Sequence, residues 1–183
     1  MGMTQLQLGG EYVTPALASL ESAVELDPAD GKGYHSLGDA HAALQQWEQS
    51  AAAYRQATAL RPGHAGGWAG LGNTLEELNK GDEAETVWRK SLSLQPDAGV
   101  YNNLGSYLRR SDRMQESRTA YEQAIALEPT NAESYIGLGK CFQAAADALT
   151  DENKAQTAKS YIAHLKQTYG VALALQACAP KDG

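Results

Sequence analysis

The sequence predicts an all-α fold, a stack of similar helical repeats, and three regularities of the 183-residue chain support this. Prolines recur at intervals of 34, 34 and 33 residues, and Leu-Gly pairs recur at nearly the same intervals. Between these markers, apolar residues lie three or four positions apart, as on the buried face of an α-helix. Self-similarity at such a period indicates supersecondary structures that stack on one another. The recurring residues are Pro28, Pro62, Pro96 and Pro129, together with Gly38, Gly72, Gly105 and Gly139.

Each repeat carries the features of two helices joined by a turn. One aromatic residue precedes each Leu-Gly pair by three positions, and in three repeats a second follows the glycine by sixteen, as Tyr54 follows Gly38. The proline ends the second helix, because it has no N–H to donate and its ring restricts φ. A glycine inside a helix costs about 1 kcal/mol relative to alanine. Four glycines in register therefore predict close contact between paired helices.

This pattern resembles the tetratricopeptide repeat (TPR) family over roughly residues 5–169, since its columns agree with that family in residue type and spacing. The resemblance implies an α-solenoid of antiparallel helix pairs stacked into a right-handed superhelix. It further implies that the first helix of each pair lines a concave face, or groove, which binds another polypeptide.

The repeats follow one another in order along the chain. Residues 13–27 are predicted to form a second helix without a complete partner, so either the chain was cut from a longer protein or this helix caps the stack. In the last repeat the pattern of the second helix begins later than in the other repeats. This predicts a lengthened pair of helices at about 132–149 and 152–168. The predicted organisation is a partial repeat at 1–30, TPR 1 at 31–64, TPR 2 at 65–97, TPR 3 at 98–131, TPR 4 at 132–169, and a C-terminal cap or tail at 170–183.

Composition argues against several classes of function. The net charge of −7 and the pI of about 5.1 disfavour a nucleic-acid binder that neutralises phosphates. No run approaches the roughly 18 apolar residues of a membrane span, so no membrane insertion is expected. The first residues lack the features of a signal peptide, and Cys141 and Cys178 have no disulfide-framework or metal-ligand spacing. A cytoplasmic protein is therefore expected.

The sequence contains few residues whose type and spacing suggest catalysis. His35 and Asp39 lie four positions apart on one helix face, where they could hydrogen-bond or bind a metal. A metal site needs three or four ligands, so a solvated pair is the favoured interpretation. The chain has neither a glycine-rich phosphate loop followed by Lys-Ser/Thr nor a nucleophile elbow. We therefore expect no enzyme activity, no catalytic residue, no metal and no cofactor.

The residues expected in the groove follow from the family resemblance, which places six positions of each repeat there. In this chain those positions carry four basic and four acidic side chains, so the groove is neutral overall. Asn73 and Asn103 are the most suggestive, because an amide can both donate to and accept from a peptide backbone. Alternatively, these two amides only bridge neighbouring helices. The predicted binding residues are Lys32, His35, Asp39, Asn73, Asn102, Asn103, Arg109, Arg110 and Lys140.

Four of the groove charges are expected to pair with one another. Glu76 and Glu77 occupy the repeat positions that Arg109 and Arg110 occupy in the next repeat. Ion pairs across the stack are the favoured interpretation, each contributing under about 1 kcal/mol to stability. In the alternative, the arginines bind a carboxylate of the partner.

One known mode of TPR binding is not expected. TPR proteins that bind heat-shock chaperone tails use two asparagines and three cations to hold a terminal carboxylate. Asn73 and Asn103 match the asparagines, but Ala69, Glu133 and Gly137 stand where the cations are needed. The sequence therefore lacks this carboxylate clamp.

The function that the sequence favours is a protein–protein interaction scaffold that binds a partner segment, protein or peptide, in the groove. An alternative is the regulatory or substrate-presenting array of a larger enzyme whose catalytic domain lies outside this chain. A third possibility is self-association through apolar array ends, either the tail or four leucines expected to be exposed. Those leucines are Leu6, Leu8, Leu17 and Leu20.

Overall fold

The computed structural model describes residues 17–147 and, beyond them, only residues 156, 160 and 163, each of which is helical. Every regular element within residues 17–147 is an α-helix, which confirms the prediction of an all-α fold. The helices are α1 (17–26), α2 (Gly31–Ala43), α3 (Trp47–Leu60), α4 (Ala65–Glu77), α5 (Gly81–Leu94), α6 (Ala98–Arg110), α7 (Met114–Leu127) and α8 (Ala132–Asp147).

Consecutive helices pack against each other in two compact units. The first unit runs to Pro96 and the second begins at Asp97. In the first unit α2 pairs with α3, α4 pairs with α5, and α3 also packs on α4. In the second unit α6 pairs with α7, and α7 packs on α8. In the first unit, therefore, two helical hairpins stack on each other, and in the second unit α8 stacks on the hairpin of α6 and α7.

The turn inside each hairpin has the same backbone geometry. The residue after the C-cap lies in the left-handed region at Gln45, Asn79 and Asp112, with φ of 57°, 58° and 60°. The next amide then donates back to a carbonyl five residues earlier, as from Gln46 to the oxygen of His41 at 2.9 Å. This is the hydrogen-bond pattern of a Schellman motif, which satisfies carbonyls left unpaired at a helix end. It reverses the chain within three residues.

The glycines of the first unit give room to aromatic side chains of the second helices. A Cβ atom on Gly38 would lie 2.9 Å from the ring of Tyr54, and one on Gly70 would lie 2.4 Å from the same residue. A Cβ on Gly72 would lie 2.4 Å from the ring of Trp88. These contacts confirm that the glycines mark close helix packing, and they explain why no side chain fits there.

The second unit repeats this arrangement with Tyr121. Its ring lies against Gly105 of the same hairpin and against Gly137 of α8, where a Cβ would come within 3.1 Å and 2.2 Å. The buried hydroxyl of Ser117 donates to the carbonyl oxygen of Gly105 at 2.7 Å. Ser50 makes the same bond to Gly38 in the first unit at 2.9 Å. A glycine and a serine in register thus bring the backbones of a pair together.

One expectation about the array ends is wrong. Leu17 and Leu20 were expected to be exposed, but both are half-buried and pack on a cluster of Val24, Leu37 and Ala53. The reason is that one face of α1 contacts the first hairpin, which covers these side chains. Leu6 and Leu8, the tail 170–183 and the end of the predicted helix 132–149 lie outside the described residues, as does most of the predicted helix 152–168. Within the described part of the chain, no helix is both long and apolar enough to span a bilayer.

Candidate functional site

The first helices of the first unit, α2 and α4, carry four of the predicted binding residues. Lys32, Asp39 and Asn73 are exposed, and His35 is half-buried. Asp39 accepts a hydrogen bond from the hydroxyl of Tyr54, which lies on α3. Burial, and then this bond to Asp39, raises the pKa of the Tyr54 hydroxyl. The carboxylate of Asp39 is thus held in place while it remains accessible to solvent.

Asn73 is held in the same way. The indole Nε1 of Trp88, on α5, donates to the Asn73 side-chain oxygen at 3.0 Å. Asn73 therefore bridges the two helices of its hairpin, as one of the two sequence interpretations proposed. Because Asn73 is also exposed, the bond fixes the orientation of an amide that faces solvent.

The second unit has an equivalent contact on its first helix, α6. Ser106 and Arg109 hydrogen-bond to the hydroxyl of Tyr121, on α7. Burial raises the pKa of this hydroxyl, and the two hydrogen bonds act in the opposite direction. In all three repeats, then, the polar end of the second-helix aromatic residue contacts a polar side chain on the first helix.

Sequence reasoning missed this set of contacts, although a signal for it exists. The three pairs are Asp39 with Tyr54, Asn73 with Trp88, and Ser106 with Tyr121, each separated by fifteen residues. Every aromatic residue in this column is a Tyr or Trp, which has a polar end, rather than a Phe. A buried Tyr or Trp usually needs a partner for that end.

The structure corrects the prediction for Asn102. This residue was expected on the groove surface, but only 8% of it is exposed, and its side-chain oxygen has no hydrogen-bond partner within the described residues. Asn102 lies one helical turn from both Ala98 and Gly105, which are buried, so it shares their face of α6. It is part of the packed side of that helix.

The remaining predicted residues of the second unit differ in exposure. Asn103 and Arg109 are half-buried, whereas Arg110 and Lys140 are exposed. Ile136, at a groove position of α8, is 50% exposed. The expected ion pairs of Glu76 and Glu77 with these arginines would link residues of different units, and they stay a prediction.

His35 belongs to a small aromatic cluster in the first unit. Its ring centroid lies 4.9 Å from that of His64, edge-on, and 5.5 Å from that of Tyr54. Its Nε2 lies 3.7 Å from an oxygen of Asp39, an ion pair when the imidazole is protonated. In the part of the chain that the structure describes, no three His, Cys, Asp or Glu residues are grouped so as to hold a metal ion. The cluster is polar, and it lies where α2, α3 and α4 meet.

Comparison with solved structures gives several similar folds. A crystal structure of MamA matches with a TM-score of 0.75 and 15% identity, over 97% of this chain and 96% of that chain. The Arabidopsis OM64 TPR domain matches with a TM-score of 0.59 and 20% identity, over 61% of this chain and 93% of that one. At these identities the likeness shows a shared fold. No curated protein sequence matches the chain.

Family models identify the repeats directly. One model, described as tetratricopeptide repeat, matches residues 14–65 and 35–99, and a second model with the same description matches residues 98–131. Together these matches cover residues 14–131, which include α1 to α7 as described. The recurring glycines, the helix pairing and the family models agree, and the chain belongs to the tetratricopeptide repeat family.

Proposed function

We propose that this protein is an interaction scaffold that holds an extended or helical segment of a partner protein along the first helices of its repeats. Membership of the TPR family supports this class of function, because TPR proteins bind protein partners. The site proposed within it rests on the side chains of these helices.

The observation that carries the proposal is the anchoring of exposed polar groups on the first helices. Asp39 and Asn73 both face solvent, and each is held by an aromatic residue of the second helix. An anchored side chain has already lost its rotamer freedom, so less conformational entropy is lost when a partner binds. Polar groups fixed in this way favour recognition of a backbone or of a polar side chain.

Small residues on α4 support an approach by a partner backbone. Gly66 is exposed, and Ala69 and Gly70 are half-buried, so this stretch of helix presents little side-chain bulk. Gly70 has no room for a larger residue, because the ring of Tyr54 lies beneath it. A segment laid here can come close to the helix and meet the Asn73 amide.

Charge is expected to contribute little to the affinity for such a partner. The predicted groove positions carry equal numbers of acidic and basic residues, so they generate no strong net field. Affinity is therefore expected to come from buried apolar contacts and from amide bonds to the partner backbone, with weak dependence on salt.

The experiment compares partner capture by the wild-type protein with that of the double variant Asn73→Ala/Asn103→Ala. Partners are isolated by cross-linked affinity capture, and the affinity of each recovered partner is then measured by calorimetry. We expect at least an approximately tenfold loss of affinity, equivalent to about 1.4 kcal/mol. Loss of the bond between Asn73 and Trp88 should lower the free energy of unfolding by about 1–3 kcal/mol, because the indole N–H of a buried residue loses this acceptor.

The matched control is Gln49→Ala/Gln123→Ala, which removes two exposed amides from the second helices α3 and α7. This variant should keep the wild-type affinity within about twofold. Equal affinity of the asparagine variant and the control would contradict binding along the first helices.

A further inference from the structure

Three of the four first helices, α2, α6 and α8, have an N-cap residue whose side-chain oxygen accepts the capping hydrogen bond. Asp30 accepts from the amide of Lys32 at 2.9 Å, and Asp97 accepts from that of Val100 at 2.9 Å. At α8, Asn131 accepts from the amide of Glu133 at 3.0 Å. Such oxygens remain acceptors at neutral and mildly acidic pH.

The start of α4 has a different cap. The N-cap residue is His64, whose imidazole Nδ1 accepts from the amide of Gly67 at 3.3 Å. An imidazole accepts a hydrogen bond only when it is neutral, because both ring nitrogens carry hydrogen in the protonated form. Protonation of His64 would therefore break this bond.

The sequence around His64 leaves α4 with little else to stabilise its first turn. Gly66 and Gly67 follow directly, and glycine is a weak helix former. No acidic residue stands in this turn to interact with the positive end of the helix dipole. A protonated His64 would place a positive charge at that end, where the interaction is unfavourable.

The charged and titratable groups around His64 come from two other helices. His35 of α2 meets it edge-on, and Arg61 follows the end of α3. Partial burial, and then the charges of Arg61 and His35, lower the pKa of His64, while Asp39 of α2 acts in the opposite direction. The Tyr54 ring of α3 lies tilted against the His35 ring, with 5.5 Å between their centroids. The fold therefore favours the neutral form, in which His64 can act as a cap.

We propose that His64 is an acid-sensitive cap whose protonation loosens the first turn of α4 where that turn packs on α3. The affected contacts are close by, since a Cβ on Gly67 would lie 3.3 Å from Thr58 of α3. This response to acid involves only residues of the first unit. It is separate from the proposed partner binding and does not depend on it.

The sign of the effect on stability follows from proton linkage. A group whose pKa is lowered on folding contributes stability that is fully present above its unfolded pKa, about 6.5 for histidine. That contribution is lost as the pH falls through the lowered pKa of the folded state. As the pH falls, the cap of α4 should therefore be lost before the carboxylate caps Asp30 and Asp97 are protonated.

The first test is an NMR titration of the full-length protein from about pH 8 to about pH 5. It follows the imidazole resonances of His64 and the helical ¹³Cα shifts of residues 65–69. We expect these helical shifts to decrease together with the protonation of His64. Residues 98–102, at the start of the helix that Asp97 caps, serve as the internal control, and their helical ¹³Cα shifts should not change. Constant shifts at 65–69 while His64 titrates would overturn the proposal.

The second test uses His64→Asn, which keeps a capping acceptor but removes the titration, as Asn131 does for α8. Thermal midpoints are measured for both proteins at about pH 7.5 and about pH 5.5. The wild-type protein should lose about 4 °C more than the variant over this range. An equal loss in both proteins would overturn the proposal, whatever the absolute stability of the variant.

Discussion

At the scale of single residues, the recurrent contact is between the polar end of a second-helix aromatic residue and a side chain fifteen positions earlier. The aromatic ring lies against glycine backbone, and its polar end lies beside a polar side chain of the first helix. That side chain is exposed at Asp39 and Asn73 and half-buried at Ser106. One side chain thus fills the space between two helices and also orients a group that faces solvent. Packing and the orientation of polar groups are therefore coupled in the three hairpins from α2 to α7.

The bond from Tyr54 to Asp39 leads to a prediction about alkaline pH. At neutral pH, Tyr54→Phe should lower the free energy of unfolding by about 1 kcal/mol, because one hydrogen bond is lost without a change in shape. Folding raises the pKa of Tyr54, so its contribution is fully present below the unfolded tyrosine pKa of about 10 and is lost as the pH rises through the folded value.

The stability gap between the wild-type protein and Tyr54→Phe should therefore narrow between neutral pH and about pH 11. Urea unfolding at a series of pH values measures this gap. Tyr34→Phe, on α2, controls for the general loss of one phenol. A gap for Tyr54→Phe that stays constant up to the alkaline limit would show that the hydroxyl is not protected by folding.

At the scale of helices and turns, the three hairpins from α2 to α7 each depend on a left-handed residue just after the first helix. Asn79 and Asp112 suit this conformation, because short polar side chains tolerate it better than most. Gln45 does not share that advantage. The turn of the first hairpin therefore carries more backbone strain than the other two.

We predict that Gln45→Gly stabilises the protein by about 1 kcal/mol, since glycine adopts positive φ without steric cost. The same change at Asn79 should have a smaller effect, because asparagine already tolerates the conformation. Chemical denaturation followed by far-UV circular dichroism compares the two variants. An equal or larger gain at Asn79 would contradict the assignment of strain to Gln45.

At the scale of the whole molecule, stability is distributed over repeats within two compact units. In such arrays each repeat contributes its own stability and that of its interfaces, so local damage need not unfold every repeat at once. The three tryptophans, Trp47, Trp68 and Trp88, all lie in the first unit. Tryptophan fluorescence therefore reports the unfolding of that unit, while circular dichroism reports helix in both.

This difference makes Gly137→Ala informative. The added Cβ would lie 2.2 Å from the ring of Tyr121, and such overpacking costs about 1–3 kcal/mol. We expect a lower denaturant midpoint by circular dichroism and a smaller change in the fluorescence midpoint. Gly63→Ala is the control, because no atom lies within 4 Å of a Cβ at that position. Equal shifts of both midpoints would show that the two units unfold as one.

The helices and their pairing could be predicted because they depend on local properties of the chain. Periodic apolar residues, prolines after the second helices and glycines in register each act over one or two turns, and the described helices lie where these signals occur. The family resemblance carried the same information, and the family models confirm it.

The burial and the hydrogen-bond partners of the residues in the candidate site were decided by the tertiary structure. Helix rotation buries Asn102, and the axial offset between two helices brings Trp88 to Asn73 and His35 to His64. Rotation and offset are set by the sum of many packing contacts across a hairpin, which no single residue spacing expresses. The sequence by itself determined the repeated helical hairpin and the residue types on its first helices, and the fold determined which of those side chains are held, buried or able to titrate.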